Sequence, residues 1–247
     1  MPNNKSAIRN WLLIVLVASL VANIHLIYRA LDYRRGANEW LDKYTNVVDE
    51  FSGRSRFAEE NKRLKTGSTV NNRVVFLGTQ VVDGWDIGGE FDGYEIIKRG
   101  VIGQWSAGML LRFNQDVVLL QPEAVVIEIS SYNLRPQHSV EEIQEYVSSM
   151  VDIAKANNIV PILATMIPLM EPLDKFGEYS VRDNINIYNR WLVEYCDNQN
   201  IRYVDFNAMM SNDNGFLRAD LSRGPIDPNT EGYRLMSKSI RNVLDEL

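Results

Sequence analysis

The sequence predicts an α/β protein: a three-layer α/β/α flavodoxin-like sandwich with a five-stranded parallel sheet, preceded by one N-terminal transmembrane helix. Three observations predict it. From about Arg73 onward, short apolar runs alternate with helical stretches, the pattern of a parallel sheet covered by helices on both faces. Residues Trp11 to Tyr28 read WLLIVLVASLVANIHLIY, with no formal charge when histidine is neutral, which is about the length a helix needs to cross a bilayer core. The chain has 247 residues, 45 % hydrophobic and 23 % charged, a globular composition with room for one sizeable domain and an appendage.

Taken in order, residues 1–10 form an N-terminal tail and 11–28 the transmembrane anchor, with Arg9 and Arg29 bracketing the apolar stretch. That stretch is long for the apolar region of a signal peptide and no A-x-A-like site follows it, so an uncleaved anchor in the lipid bilayer is expected. Asn23 and His25 lie within two turns of its outer end and can reach headgroups or water. Residues 29–67 form a helical linker. Trp40, Tyr44, Val47 and Phe51 mark one apolar stripe that Ser52-Gly53 interrupts, and the charged stretch RFAEENKRLK then runs to Gly67. The stripe is shorter than the three or four heptads of a coiled coil, so packing on the body or on the membrane surface competes with dimerisation.

The body spans 70–247. Its expected strands are Val74 to Leu77, Tyr94 to Ile97, Ala124 to Ile129, Ile159 to Ile167 and Tyr203 to Phe206. The clearest helix opens at Ser139 with Glu142 three residues on, a capping box, and carries Val140, Ile143, Val147, Met150 and Ala154 on one face. A closing helix covers about Thr230 to Leu244. Ligands of such sheets sit beyond the carboxyl ends of the strands, which directs attention to the loops after Leu77, Ile97, Ile129 and Ile167.

Composition narrows the chemistry. The net charge of −6 and the lack of a Lys/Arg-rich block in the body argue against nucleic acid as a partner. No metal or cofactor motif is found. The single cysteine, Cys196, lies among apolar residues and reads as a small buried side chain. Only two histidines exist, His25 and His138, and the second stands just before the capping box, away from the strand-end loops.

Four short blocks then fall on the strand ends. Val74 to Trp85 reads VVFLGTQVVDGW, with Gly78-Thr79-Gln80 at the strand exit; Arg99-Gly100-Val101-Ile102-Gly103 follows the second strand; Ser131-Tyr132-Asn133-Leu134 follows the third; and GPIDPNTEGY runs from Gly224 to Tyr233. In this order they resemble the blocks of the SGNH (GDSL-type) hydrolases. The resemblance covers nearly everything after Arg73. It implies an esterase scaffold in which the first block carries the serine nucleophile after Gly-Asp, Gly103 and Asn133 supply donors to an oxyanion hole, and the last block carries the catalytic aspartate and histidine. Here Gln80 stands at the serine, Asp227 at the histidine and Gly224 at the aspartate. A carboxamide is neither nucleophilic nor basic near neutral pH, and an ordinary aspartate is a poor base for a hydroxyl.

The resemblance therefore implies a degenerate domain, a pseudoenzyme whose ligand-binding residues are Gln80, Gly103, Asn133 and Asp227. It also suggests an acylated cell-surface polysaccharide, or a protein partner, as what is bound. An ester hydrolase or O-acyltransferase that recruits Thr79, Ser130 or Ser131 with Asp227 as a weak base is the enzymatic alternative; a scaffold in a membrane assembly is the third. Lys5 and Arg9 precede the anchor while Arg29, Arg34, Arg35 and Lys43 follow it, so the positive-inside rule alone keeps the body cytoplasmic. Anchors of this kind in front of SGNH-like domains usually deliver them outward, and an extracytoplasmic body is the expectation.

Overall fold

The structure, a computed structural model, describes residues 4–66, 72–136 and 138–247. The extreme N-terminus, Gly67 and the expected body boundary at residue 70 lie outside these. Two compact units are present, Met1–Asp49 and Glu50–Leu247. In the first, helix α1 (Asn4–Ser52) is continuous through the expected tail, anchor and first linker helix. Its stretch Ile8–Leu41 is long and apolar enough, by length and composition, to cross a membrane. Trp40 and Tyr44 are exposed, while the side chain of Val47 lies outside those described.

The second unit begins at Glu50, so the charged helix α2 (Ala58–Thr66), expected as linker, belongs to the body. The chain then alternates β1 (Arg73–Gly78), α3 (Gln80–Asp83), β2 (Glu95–Gly100), α4 (Ser106–Asp116), β3 (Ala124–Ile127), α5 (Val140–Ala156), β4 (Val160–Ala164), a two-residue hairpin β5 (Lys175–Phe176) and β6 (Tyr179–Ser180), α6 (Val181–Gln199), β7 (Arg202–Val204), α7 (Phe206–Met210) and α8 (Thr230–Leu244). The five long strands pair in parallel in the order β2-β1-β3-β4-β7. This is the flavodoxin-like arrangement expected, reached by crossovers that carry a helix between parallel neighbours.

Strand residues divide by parity, as the pleat requires. Val75, Leu77, Val125, Ile127 and Leu163 pack with α4, α5 and α6, whereas Val74, Phe76, Val126, Ile162 and Ala164 pack with α3, α7 and α8. The Ser139 capping box forms, with Ser139 accepting from the Glu142 backbone and Glu142 reaching back to the Ser139 N–H. Strand ends differ from expectation. β3 stops at Ile127 because the chain turns into a short 3-10 segment, Ser131–Asn133, and β4 stops at Ala164 rather than Ile167.

Candidate functional site

A cavity of about 340 Å³ opens at the carboxyl end of the sheet. Gln80, Asp83 and Gly84 come from the turn after β1; Ile102 and Gly103 from the turn after β2; Tyr132 from the loop after β3; Arg223, Ile226 and Asp227 from the loop before α8. Each wall is pinned by the sequence around it. The tight exit of β1 is fixed where Thr79 donates through both its N–H and its hydroxyl to Glu128 Oε2, at 2.9 Å each. Gly103 adopts a φ of +69°, a left-handed conformation that a side chain would strain. The last loop is closed by the Arg223 N–H donating to the Asp227 carbonyl (3.0 Å) and held to α8 by Asn229, whose side chain caps the helix at the Gly232 N–H (3.0 Å). Tyr233 then ties α8 to α3 by donating its hydroxyl to the Val81 carbonyl (2.9 Å).

The electrostatics centre on three groups. Glu128 is 2 % exposed and faces inward beneath the first turn. Burial pushes its carboxyl up to about 7, with repulsion from Asp227 adding to the rise and the two Thr79 hydrogen bonds opposing it. Gln80 donates its amide to Ser130 Oγ (2.7 Å), and its own Oε1 is buried without a partner among the described residues. The side chains of Arg223 and Asp227 form no hydrogen bond or ion pair among the described residues. Arg223 lies over the Tyr233 ring at 5.8 Å and against Gly84, where any side chain would overlap the guanidinium. Asp83, by contrast, is paired with Arg56 at 2.7 Å.

The structure thus brings Gln80, Gly103 and Asp227 into one cavity. Gly224 stands in the same loop, with a position for a Cβ 3.4 Å from Asp227 Oδ2, and its φ is not positive. Asn133 does not line the cavity. It is fully buried; its Oδ1 accepts from the Ser106 N–H (2.7 Å), and its Nδ2 donates to the Gln104 (3.3 Å) and Ser130 (3.4 Å) carbonyls, so it holds the start of α4. The loop after β4, expected to contribute, does not reach the cavity. His138 packs on Trp105 with ring centroids 3.9 Å apart and lies outside the wall, and Cys196 is buried, its thiol pushed up to about 12 by burial. Among the described residues no group of three or more His, Cys, Asp or Glu is placed to hold a metal ion.

Sequence reasoning did not single out Glu128, Tyr132 or Arg223. Glu128 left a signal: one charge inside the apolar run Ala124 to Ile129 must find partners when buried. Arg223 left none, because an arginine beside a glycine-proline turn reads as solvated surface.

Comparison with known proteins matches residues 77–235 to the GDSL-like Lipase/Acylhydrolase family. Among solved structures, a GDSL-like lipase from Bacteroides thetaiotaomicron superposes with a TM-score of 0.71 at 28 % identity, over 79 % of this chain and 98 % of that one. A candidate acylhydrolase of Bacteroides fragilis gives 0.70 at 28 % identity, over 79 % and 97 %. A variant of an acetyl-xylooligosaccharide esterase from Geobacillus shares the fold at a TM-score of 0.57 and 16 % identity, over 72 % and 96 %. No curated protein matches the chain.

Proposed function

The chain belongs to the GDSL-like lipase/acylhydrolase family, and from that premise we propose that its domain no longer works as a serine esterase and instead binds a ligand from a membrane anchor. The observation that carries the proposal is Gln80. It begins α3 at the exit of β1, where the family resemblance expects the nucleophile, and a carboxamide there can donate and accept hydrogen bonds but cannot form an acyl-enzyme. Asp227 and Gly224 stand where the resemblance expects the base and its orienting acid, and no histidine lines the cavity. The hydroxyls of Thr79 and Ser130 are closed in. Thr79 is fully buried with its hydroxyl given to Glu128, and Ser130 is 1 % exposed and accepts from both Gln80 and the Tyr132 N–H.

The lining favours a hydroxyl-rich ligand carrying a small apolar group, such as an acylated glycan. The unpaired Asp227 carboxylate accepts and the unpaired Arg223 guanidinium donates, a mixed pair that complements neighbouring hydroxyls. Ile102 and Ile226 supply an apolar rim beside them. The Gly103 and Gln80 backbone N–H groups need no particular side chain to contact an ester carbonyl oxygen. In this reading the apolar stretch of helix α1 is a single-pass membrane anchor and the domain lies on the extracytoplasmic side. Purified full-length protein in detergent is expected to hydrolyse activated aryl acetates no faster than a heat-denatured control. Sustained turnover that survives repurification would replace this proposal with the alternative of an unconventional nucleophile.

A further inference from the structure

The segment between α1 and β1 precedes the family-matching region, yet it enters the buried polar network beneath the cavity. Arg99, fully buried at the end of β2, donates from Nε (3.1 Å) and Nη2 (2.7 Å) to Asn61 Oδ1, from Nη1 to the Lys98 carbonyl (2.7 Å), and sits 3.3 Å from the Glu60 carboxylate. Its guanidinium lies 4.6 Å from the centre of the Phe57 ring. Arg112 of α4, also fully buried, donates to Gln104 Oε1 (2.7 Å), to Asp116 (2.9 Å) and to the carbonyls of Gly78 (3.2 Å) and Arg99 (2.8 Å). Asn61 closes the ring by donating to Asp116 at 2.5 Å, and Gln104 donates to the Ser52 carbonyl at 3.0 Å.

The two carbonyls that Arg112 holds have a particular place. Gly78 precedes Thr79-Gln80 and Arg99 precedes Gly100 to Gly103, so one guanidinium spans the roots of the two turns that wall the cavity. The Val101 N–H joins them again by donating to the Gly78 carbonyl (3.1 Å). Burial pulls both arginines down from their ordinary values, joined for Arg112 by repulsion from Arg99 and Arg56 and opposed by Glu60 and Asp116 for Arg99 and by Asp116 for Arg112, so each buried charge needs its partners. Asn61 serves both arms: without it, two Arg99 donors and one Asp116 oxygen lose a partner in a site closed to water.

We propose that residues 50–66 are a clasp that sets the spacing of the two turns around the cavity, with Asn61 and Phe57 as its positioning residues. The functional consequence rests on the cavity being the ligand site; the positional claim is tested without any ligand. Hydrogen exchange of the full-length protein in detergent micelles reads it directly. Asn61→Ala and Phe57→Leu are expected to raise exchange about ten-fold in peptides covering 79–84 and 101–105, while 124–129, 160–164 and 230–244 keep their wild-type rates. Phe57→Tyr, which keeps the ring face under Arg99, is expected to exchange as wild type. Faster exchange spread evenly over the domain, or unchanged exchange at the two turns, overturns the proposal. Should Asn61→Ala not fold, Glu60→Gln removes only the half-exposed ion pair with Arg99. It is expected to show the same local pattern at about two-fold, and an unchanged pattern there is equally fatal.

Discussion

At the scale of single residues, the cavity wall carries Gln80 and Asp227, with one acid, Glu128, buried beneath the first turn. Glu128 ionises near 7 in the folded chain against an ordinary value of 4.5, so between those pH values the folded state holds a proton that the unfolded state has released. Stability therefore falls as pH rises from 4.5 to 7 and levels off above, by about 3 kcal/mol if the whole shift is realised. Glu128→Gln is expected to flatten that dependence and raise the melting temperature at pH 8; a variant that melts lower at pH 8 than at pH 5 by the wild-type margin contradicts the assignment. The same scale holds the reconstruction test. Gln80→Ser, Asp227→His and Gly224→Asp together are expected to hydrolyse aryl acetates measurably, since a scaffold without its triad retains about 10³–10⁴ of rate enhancement in serine proteases. Each single change is expected to stay at background, because a serine without its base remains a poor nucleophile. Gly224 accepts an aspartate without backbone strain, its φ being negative or extended and its Cβ position open except toward Asp227. Gln80, Gly103 and Asp227 were legible in the sequence because short blocks fix them relative to strand ends. The commitment of Asn133 to backbone was not, since nothing in Ser131 to Leu134 says whether an amide turns to a cavity or to the start of α4.

At the scale of elements, the pattern of apolar runs and caps was readable almost throughout, because strand burial and helix caps are local consequences of local sequence. Helix α8 occupies the expected Thr230–Leu244, and α5 begins behind the expected capping box. Ser139→Ala is expected to cost about 1 kcal/mol in chemical denaturation, with no change in the cavity residues. Gly103→Ala is expected to cost about 1–2 kcal/mol through its positive φ and to disturb the second turn. The place of α2 was not readable. A charged nine-residue helix carries no apolar face that announces docking, and its attachment depends on Arg99 and Arg112, which lie far along the chain and are buried only because Asn61, Glu60 and Asp116 meet them.

At the scale of the whole molecule, a long apolar helix and a family hydrolase domain make one chain, and its function turns on whether any hydroxyl in that domain is still a nucleophile. The positive charges that follow the helix favour a cytoplasmic body, opposite to the side proposed for it, so a fusion at the carboxyl end discriminates between the two. An enzymatic reporter fused after Leu247 is expected to be active only outside the cytoplasm, and cytoplasmic activity would reverse the topology proposed for the anchor. The silent-esterase account itself is met most directly by exposing the purified full-length protein to a serine-directed fluorophosphonate and measuring its intact mass. The account predicts an unshifted mass, because Gln80 cannot be phosphonylated, the hydroxyls of Thr79 and Ser130 are buried and hydrogen-bonded, and Ser131 is buried. A stoichiometric adduct mapped to any of those three residues would contradict it.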